Sequence, residues 1–182
     1  RCVRGESVRA QVCEMSSPGD QGVCFVGTRE AVVQAGRVVR RVHGRDVLVL
    51  HHQGALYALD LHCYHSGGPL QEGDIEEFGG RLCIVCPWHK YKITLAEGEG
   101  LYQAVNPLVK PLRPVWCSKG VKQRVHQVTE VNGDIFIRLD DSAGAVESDH
   151  YQTEEYRLIV GEADKQRKHK ITSLLSGTTR IF

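Results

Sequence analysis

Two short stretches, 63-CYHSGGPL-70 and 86-CPWHKY-91, contain the residues that decide how this chain folds. Each stretch offers one thiol and one imidazole: Cys63 and His65 in the first, Cys86 and His89 in the second. Paired glycines in the first stretch let the backbone approach a bound group closely, and a proline in each stretch stiffens it. We therefore predict that the two stretches are loops, and that these four side chains are the ligands of one metal centre.

The order of the ligands distinguishes two kinds of metal site. Zinc fingers usually place like ligands together, C-x-x-C and then H-x₃₋₅-H. Here each loop combines one cysteine with one histidine, spaced C-x-H and then C-x-x-H, and no amphipathic helix follows. This order favours a [2Fe–2S] centre, in which two histidines replace two cysteines on one iron. A structural zinc site, or a domain without metal, stays open as an alternative.

The motif C-x-H-x-G-x-P-L followed by C-P-W-H resembles the Rieske domain, and CPWH is similar to its ferredoxin and oxygenase branch. The resemblance covers residues 24–139. It implies one [2Fe–2S] cluster, with Cys63 and Cys86 on one iron and His65 and His89 on the other. It also implies an all-β fold of antiparallel sheets with an inserted cluster-binding subdomain.

The same resemblance implies a soluble, ferredoxin-like electron carrier. Such a protein passes single electrons from a reductase to an acceptor such as an oxygenase. Oxygenase subunits of this family continue into a catalytic iron domain of a few hundred residues, whereas only residues 140–182 follow the matching part here. We therefore expect redox protein partners and no catalysis by this chain. The alternatives are a redox-sensing regulatory module with the same cluster and a structural metal-binding domain.

Charge and composition restrict the partners and the compartment. The chain of 182 residues has a formal net charge of +1 and no basic helix, so we expect no nucleic-acid partner. No stretch reaches the roughly 18 apolar residues of a transmembrane segment. Respiratory Rieske proteins have a disulfide between the ligand loops, where this chain has Gly68 and Trp88. The resemblance thus implies a reducing compartment, and we expect a cytoplasmic protein.

Residue patterning divides the chain into three parts. Residues 1–22 are polar and aperiodic, which predicts a disordered N-terminal extension. Residues 23–140 form the predicted Rieske domain, with the cluster-binding part at 61–100 and a base built from the segments before and after it. Residues 141–182 are a C-terminal extension with one edge strand, Tyr156–Val160, and a basic tail, Lys165–Lys170.

Short strands deliver the ligand loops. Leu56–Leu61 alternates with period two and leads to Cys63, while Arg81–Val85 leads to Cys86. Val47–Leu50 is a continuous apolar run, which predicts a strand buried on both faces.

Turn and cap residues predict the remaining connections. Thr28 is suited to cap a single helical turn that ends at Gly36, and Asn132-Gly133 predicts a hairpin. Residues 72–77 form an acidic patch between the ligand loops. Residues 101–129 contain three prolines, and the resemblance makes them the candidate for a loop that covers the cluster. An ordinary surface loop is the alternative for that segment.

Overall fold

The computed structural model describes residues 22–108, 110–142 and 144–159, and strands predominate in it. In chain order they are β1 (Val23–Thr28), β2 (Arg37–Val42), β3 (Arg45–His52), β4 (Ala55–Asp60), β5 (Asp74–Phe78), β6 (Arg81–Val85), β7 (Lys92–Thr94), β8 (Glu99–Val105), β9 (Pro114–Val121), β10 (Val125–Val131) and β11 (Asp134–Arg138). The first sheet has the order β1–β11–β10–β4–β3–β2, and the second has the order β5–β6–β7–β8–β9. All neighbouring strands are antiparallel. The all-β prediction is therefore confirmed, with the second sheet inserted between β4 and β10.

A short helix, α1 (Arg29–Ala35), connects β1 to β2. The hydroxyl of Thr28 caps its first turn by accepting the N–H of Ala31 at 3.2 Å. Gly36 ends it with a φ of 69° and donates its N–H to the carbonyl of Val32 at 3.0 Å. The predicted helical turn between Thr28 and Gly36 is confirmed.

Strand β3 contributes to two hydrophobic cores. Val47 and Val49 belong to a core that includes α1, whereas Leu48 and Leu50 belong to a second core that reaches β6 and β7. All four side chains are fully buried. The prediction of a strand buried on both faces is confirmed, because successive side chains of a strand point to opposite faces.

The sequence analysis missed strand β5, which it described as part of an acidic patch. Asp74–Phe78 pairs with Arg81–Val85 at the edge of the second sheet. Acidic residues are depleted in strands, so β-propensity does not predict a strand here. At a sheet edge, however, charged side chains remain in solvent and hinder pairing with other molecules.

The structure of residues 101–129 also differs from the predicted loop, because most of these residues form strands. Strands β8 and β9 form a long hairpin of the second sheet, so assigning the residues after Leu101 to the base was wrong for the rest of β8 and for β9. The three prolines suggested a loop. Two of them, Pro107 and Pro111, lie in the connection between β8 and β9. Pro114 is the first residue of the edge strand β9, a position that tolerates proline although it has no N–H to donate.

The predicted edge strand Tyr156–Val160 is wrong. Residues 154–159 are helical, and Val160 lies outside the described residues. The apolar alternation favoured a strand, but Thr153 starts a helix by accepting the N–H of Tyr156 at 3.3 Å on its hydroxyl. Two acidic residues directly after Thr153 support the start of a helix.

Two predictions concern residues that the structure does not describe. These are the disordered extension at residues 1–22, of which Gly22 alone is described, and the basic tail Lys165–Lys170. Among the described residues, no helix has the length and apolar character needed to cross a membrane.

Candidate metal centre

The first ligand loop begins where β4 ends and is closed by two backbone hydrogen bonds. Cys63 donates its N–H to the carbonyl of Gly68 at 2.9 Å, and Gly67 donates to the carbonyl of Cys63 at 2.8 Å. Gly67 has a φ of 71°, a conformation that glycine adopts without a Cβ penalty. The turn folds the residues between these bonds outward, and His65 is among them.

The second ligand loop, between β6 and β7, repeats this design. Cys86 donates its N–H to the carbonyl of Tyr91 at 2.8 Å, and Lys90 donates to the carbonyl of Cys86 at 2.9 Å. Lys90 has a φ of 56° and therefore occupies the position that Gly67 has in the first loop. The two cysteines thus hold corresponding places in two similar turns, whereas His65 lies two residues after Cys63 and His89 lies three residues after Cys86.

The four predicted ligands come together as two pairs. The thiols of Cys63 and Cys86 are buried in the second core and share a hydrogen bond. The imidazoles of His65 and His89 are exposed, with their ring centroids 4.9 Å apart. The site therefore has a buried sulfur side and an exposed nitrogen side.

Backbone N–H groups surround both sulfur atoms. Those of His65 and Ser66 donate to the sulfur of Cys63, and those of Trp88 and His89 donate to the sulfur of Cys86. Such bonds favour thiolate over thiol, and around iron–sulfur clusters they raise the reduction potential.

The two thiols do not ionise independently. The hydrogen bond from Cys63 lowers the pKa of Cys86 to about 6, while the same bond and burial raise the pKa of Cys63 far above its usual value. A second thiolate next to the first is disfavoured by like-charge repulsion. Two thiolates can therefore coexist here when a positively charged metal group lies against them.

Gly68 allows the two loops to approach each other. A Cβ at this position would lie 2.7 Å from the sulfur of Cys86 and 3.3 Å from the ring of Trp88. A side chain at residue 68 would therefore displace a predicted ligand.

Sequence reasoning missed Gln123, which supports the first loop. Its side chain is fully buried; the amide oxygen accepts the N–H of Tyr64, and the amide nitrogen donates to the carbonyls of Asp60 and His62, each at 2.9 Å. No motif identifies this glutamine, because its partners are backbone groups far away in the sequence.

Aromatic rings pack on the histidine side of the site. The ring of Tyr91 stacks on His65 with a centroid distance of 4.0 Å and an interplanar angle of 14°. The ammonium of Lys119 lies over Tyr91 at 5.2 Å and over Tyr102 at 5.8 Å. Trp88 is 53% exposed beside His89. These rings are available for contact with another molecule.

Three lysines surround this side of the site: Lys90, Lys92 and Lys119, which we call the basic face. A shallow cleft between them is lined by His89, and no Asp or Glu among the described residues lines it. The basic face therefore has a positive potential next to the exposed imidazoles.

Cys83 and Cys117 lie in strands, outside the two ligand loops. Cys83 is buried within β6, and burial raises the pKa of its thiol to about 11, as expected of a small core residue. Cys117 is half-buried in β9.

The arrangement fits a binuclear iron–sulfur group. Within the described part of the chain, no three His, Cys, Asp or Glu side chains converge on one point as a mononuclear site would require. The donors instead form one sulfur pair and one nitrogen pair, and amides and Gly68 leave room close to the sulfurs. Two inserted ligand loops on an all-β base define the class of the Rieske iron–sulfur domains.

Comparison with known proteins agrees with this class. The profile of the soluble Rieske-type ferredoxins matches residues 23–142. A Rieske domain-containing protein from Homo sapiens is 52% identical over 137 residues, which are 75% of this chain and 87% of the human protein. The chain belongs to the family of soluble Rieske-type ferredoxins, and this membership implies an iron–sulfur cluster.

The solved structures that match this chain are more distant in sequence. The ferredoxin of carbazole 1,9a-dioxygenase from Nocardioides aromaticivorans is 19% identical, with a TM-score of 0.46, covering 66% of this chain and 100% of that chain. A reduced complex between oxygenase and ferredoxin in carbazole 1,9a-dioxygenase gives 21% identity and a TM-score of 0.46, covering 65% of this chain and 28% of that chain.

Proposed function

We propose that this protein is a one-electron carrier with one [2Fe–2S] cluster, held by Cys63, Cys86, His65 and His89. The observation that carries the proposal is the pairing of two buried thiols and two exposed imidazoles on two turns of the same design. When bound, the cluster would supply reversible one-electron redox chemistry at a potential set by its ligands and their hydrogen bonds.

The residues around the ligands suit rapid electron transfer. Cys63 and Cys86 are fixed within the second core, and strands β4 and β6 lead directly into their loops. Ligands on rigid elements move little when the charge of a bound group changes. The exposed imidazoles of His65 and His89 would be the contact point for the electron donor and acceptor.

We propose that the partners are a reductase and an acceptor such as an oxygenase, and that each presents an acidic surface. The basic face supports this because its three lysines surround the cleft beside His89. Opposite charges steer association and orient the two sites toward each other. We further propose a cytoplasmic location, which microscopy of the tagged full-length protein can test.

Chemical and spectroscopic analysis of the purified protein tests the cluster. We expect about two irons and two sulfides per chain, a red-brown colour and a low-g-average paramagnetic signal after reduction. Cys63→Ser and Cys86→Ser should lose the iron, whereas Cys117→Ser is the matched control and should keep it. Colourless wild-type protein with one zinc ion would overturn the proposal.

A further inference from the structure

The described part of the chain after residue 142, where the family profile stops matching, makes direct contact with the first ligand loop. We call residues 147–159 the C-terminal segment; it comprises a 3₁₀ helix, Glu147–Gln152, and the helical residues 154–159. The hydroxyl of Tyr151 donates to the carbonyl of His65 at 2.8 Å, and the hydroxyl of Tyr156 donates to the carbonyl of Gly67 at 3.2 Å. Both bonds reach backbone atoms of the loop that contains two of the proposed ligands.

The two tyrosines are packed as well as hydrogen-bonded. Their rings meet edge-to-face with centroids 4.9 Å apart, and Tyr156 meets the ring of His62 at 5.6 Å. His62 also shares the carbonyl of Gly67 through its Nδ1, at 3.2 Å. A Cβ on Gly67 would overlap the hydroxyl of Tyr156. The tyrosines therefore rest directly on the backbone of the loop.

The start of the C-terminal segment is anchored to the base by a buried polar cluster. Ser148 donates its hydroxyl to Asp60 at 2.5 Å and accepts the backbone N–H of Arg124 at 2.9 Å. Asp149 accepts from the guanidinium groups of Arg45 at 2.9 Å and Arg124 at 2.7 Å. Ser148, Asp60 and Arg124 are buried, so this end is held firmly.

The rest of the segment is fixed on the start of β3 and on the turn before it. Gln152 accepts the backbone N–H of Asp46 at 2.8 Å and donates to its carbonyl at 3.1 Å. Arg157 donates to the carboxylate of Asp46 at 3.2 Å and to the carbonyl of Gly44. Tyr151 and Tyr156 therefore lie along a segment that is tied down at both ends.

The second ligand loop is held differently at the corresponding position. The carbonyl of Lys90, which corresponds to that of Gly67, accepts at 2.9 Å from Lys92, a long side chain of the neighbouring strand. The C-terminal segment thus supports one ligand loop, and the basic face lies beside the other.

We propose that Tyr151 and Tyr156 are positioning residues, which hold the first ligand loop closed through the carbonyls of His65 and Gly67. This inference rests on the proposed function, because the loop is taken to hold Cys63 and His65 against the cluster. Its consequence is that His65 stays in a fixed orientation while partners use the open side near His89.

The test compares Tyr151→Phe, Tyr156→Phe and the double variant with wild-type full-length protein carrying its cluster. Each change removes one hydroxyl and keeps the ring. A hydrogen bond worth about 1 kcal/mol corresponds to about a fivefold change in loop opening, and two such bonds to about 25-fold. We expect iron release to a chelator, and amide hydrogen exchange in residues 63–70, to accelerate by these factors.

The controls separate positioning from a general loss of stability. Tyr102→Phe removes a hydroxyl near the second loop and should change neither rate. Exchange in residues 86–91 should stay at the wild-type rate in all variants. In the reduced protein, the nitrogen hyperfine couplings assigned to one histidine ligand should change in the double variant, and those of the other should not.

The possible failures are distinguishable. Unchanged iron release and unchanged exchange in residues 63–70 in the double variant would overturn the positioning role while leaving the carrier function intact. Wild-type protein without iron would overturn the proposed function, and exchange in residues 63–70 would still test the positioning role of Tyr151 and Tyr156. If the double variant does not fold, Tyr151→Phe alone decides, because its expected fivefold effect is measurable.

Discussion

Gly67 and Lys90 occupy corresponding positions in the two ligand loops, and both have a positive φ. Both loops therefore need a left-handed backbone conformation at this position, whatever the side chain is. Glycine is needed at residue 67 for a second reason, since the hydroxyl of Tyr156 fills the space that a Cβ would take. Lys90 is exposed, and its side chain extends into solvent.

Alanine substitutions at these two positions should consequently differ in effect. Gly67→Ala should lower the free energy of unfolding by about 1–2 kcal/mol from the left-handed conformation, and further because Tyr156 must move. Lys90→Ala keeps a Cβ at the same φ and should change it by less than about 0.5 kcal/mol. Urea denaturation measures both values, and equal losses would contradict this account of the loops.

The carboxylate of Asp149 links the C-terminal segment to two arginines. Burial by itself raises its pKa, but hydrogen bonds from Arg124, the N–H of Val146 and Arg45 outweigh this and hold the pKa well below its usual range. A carboxyl whose pKa is lower in the folded state stabilises the fold above its unfolded-state pKa of about 3.9. That stabilisation is lost as the pH falls below this value.

The predicted result is a pH-dependent effect of Asp149→Asn. At pH 7 the variant should lose about 2–3 kcal/mol, because Arg45 and Arg124 lose a charged acceptor. As the pH falls below about 5, the difference in stability between the variant and wild type should shrink. The reason is that protonation of Asp149 removes the same stabilising contribution from wild type. Asp141→Asn, at an exposed position, is the control. A difference that is constant down to about pH 2 would refute the assignment.

At the scale of elements, strand β3 contributes side chains to both cores. Leu48 packs in the core that contains Cys63 and Cys86, whereas Val49 packs in the core that contains α1. A cavity at Leu48 is therefore next to the predicted ligands, and a cavity at Val49 is on the opposite face of the sheet.

We expect the two truncations to separate stability from metal retention. Leu48→Ala should cost about 2–5 kcal/mol, and Val49→Ala should also destabilise because it removes buried methyl groups. Only Leu48→Ala should accelerate iron release, measured with a chelator under conditions where both variants remain folded. Equal acceleration in Val49→Ala would mean that iron loss follows global unfolding instead of the local packing.

For the whole molecule, a formal net charge of +1 hides an uneven distribution of charge. The basic face lies beside His89. The acidic strand β5 is one edge strand of the second sheet, and β9 is the other. Positive potential is therefore concentrated next to the exposed imidazoles. Anionic reaction partners should reach the site faster than cationic ones.

Small redox reagents provide a direct test of this charge distribution. Oxidation of the reduced protein by an anionic complex such as ferricyanide should slow as salt rises, because the Debye length falls from about 30 Å at 0.01 M to about 10 Å at 0.1 M. Changing Lys90, Lys92 and Lys119 to glutamine should reduce the rate at low salt by about tenfold. A cationic cobalt complex should show the opposite trend. Identical salt dependence for both reagents would argue against steering by the basic face.

The sequence alone determined many of the strands, the helix and the proposed ligands of this protein, because the patterns that predict them are local. Alternation in Leu56–Leu61, the apolar run in β3 and the caps at Thr28 and Gly36 each depend on neighbouring residues, and the strands and helix were predicted from them. The four proposed ligands were likewise identified from spacing within two short stretches. Their binding of a cluster is still a prediction.

Only the tertiary structure decided the features that depend on distant partners. Strand β5 is acidic, and its pairing with β6 at a sheet edge overrides its weak propensity. Gln123 is buried to satisfy backbone groups of the first loop, and no local pattern requires it. Tyr151 and Tyr156 were assigned to an extension, yet they rest on the loop of His65 because Ser148 and its neighbours are anchored to the base. Periodicity and spacing report which groups a residue meets along the chain, whereas the support of a ligand loop depends on side chains that folding alone brings to it.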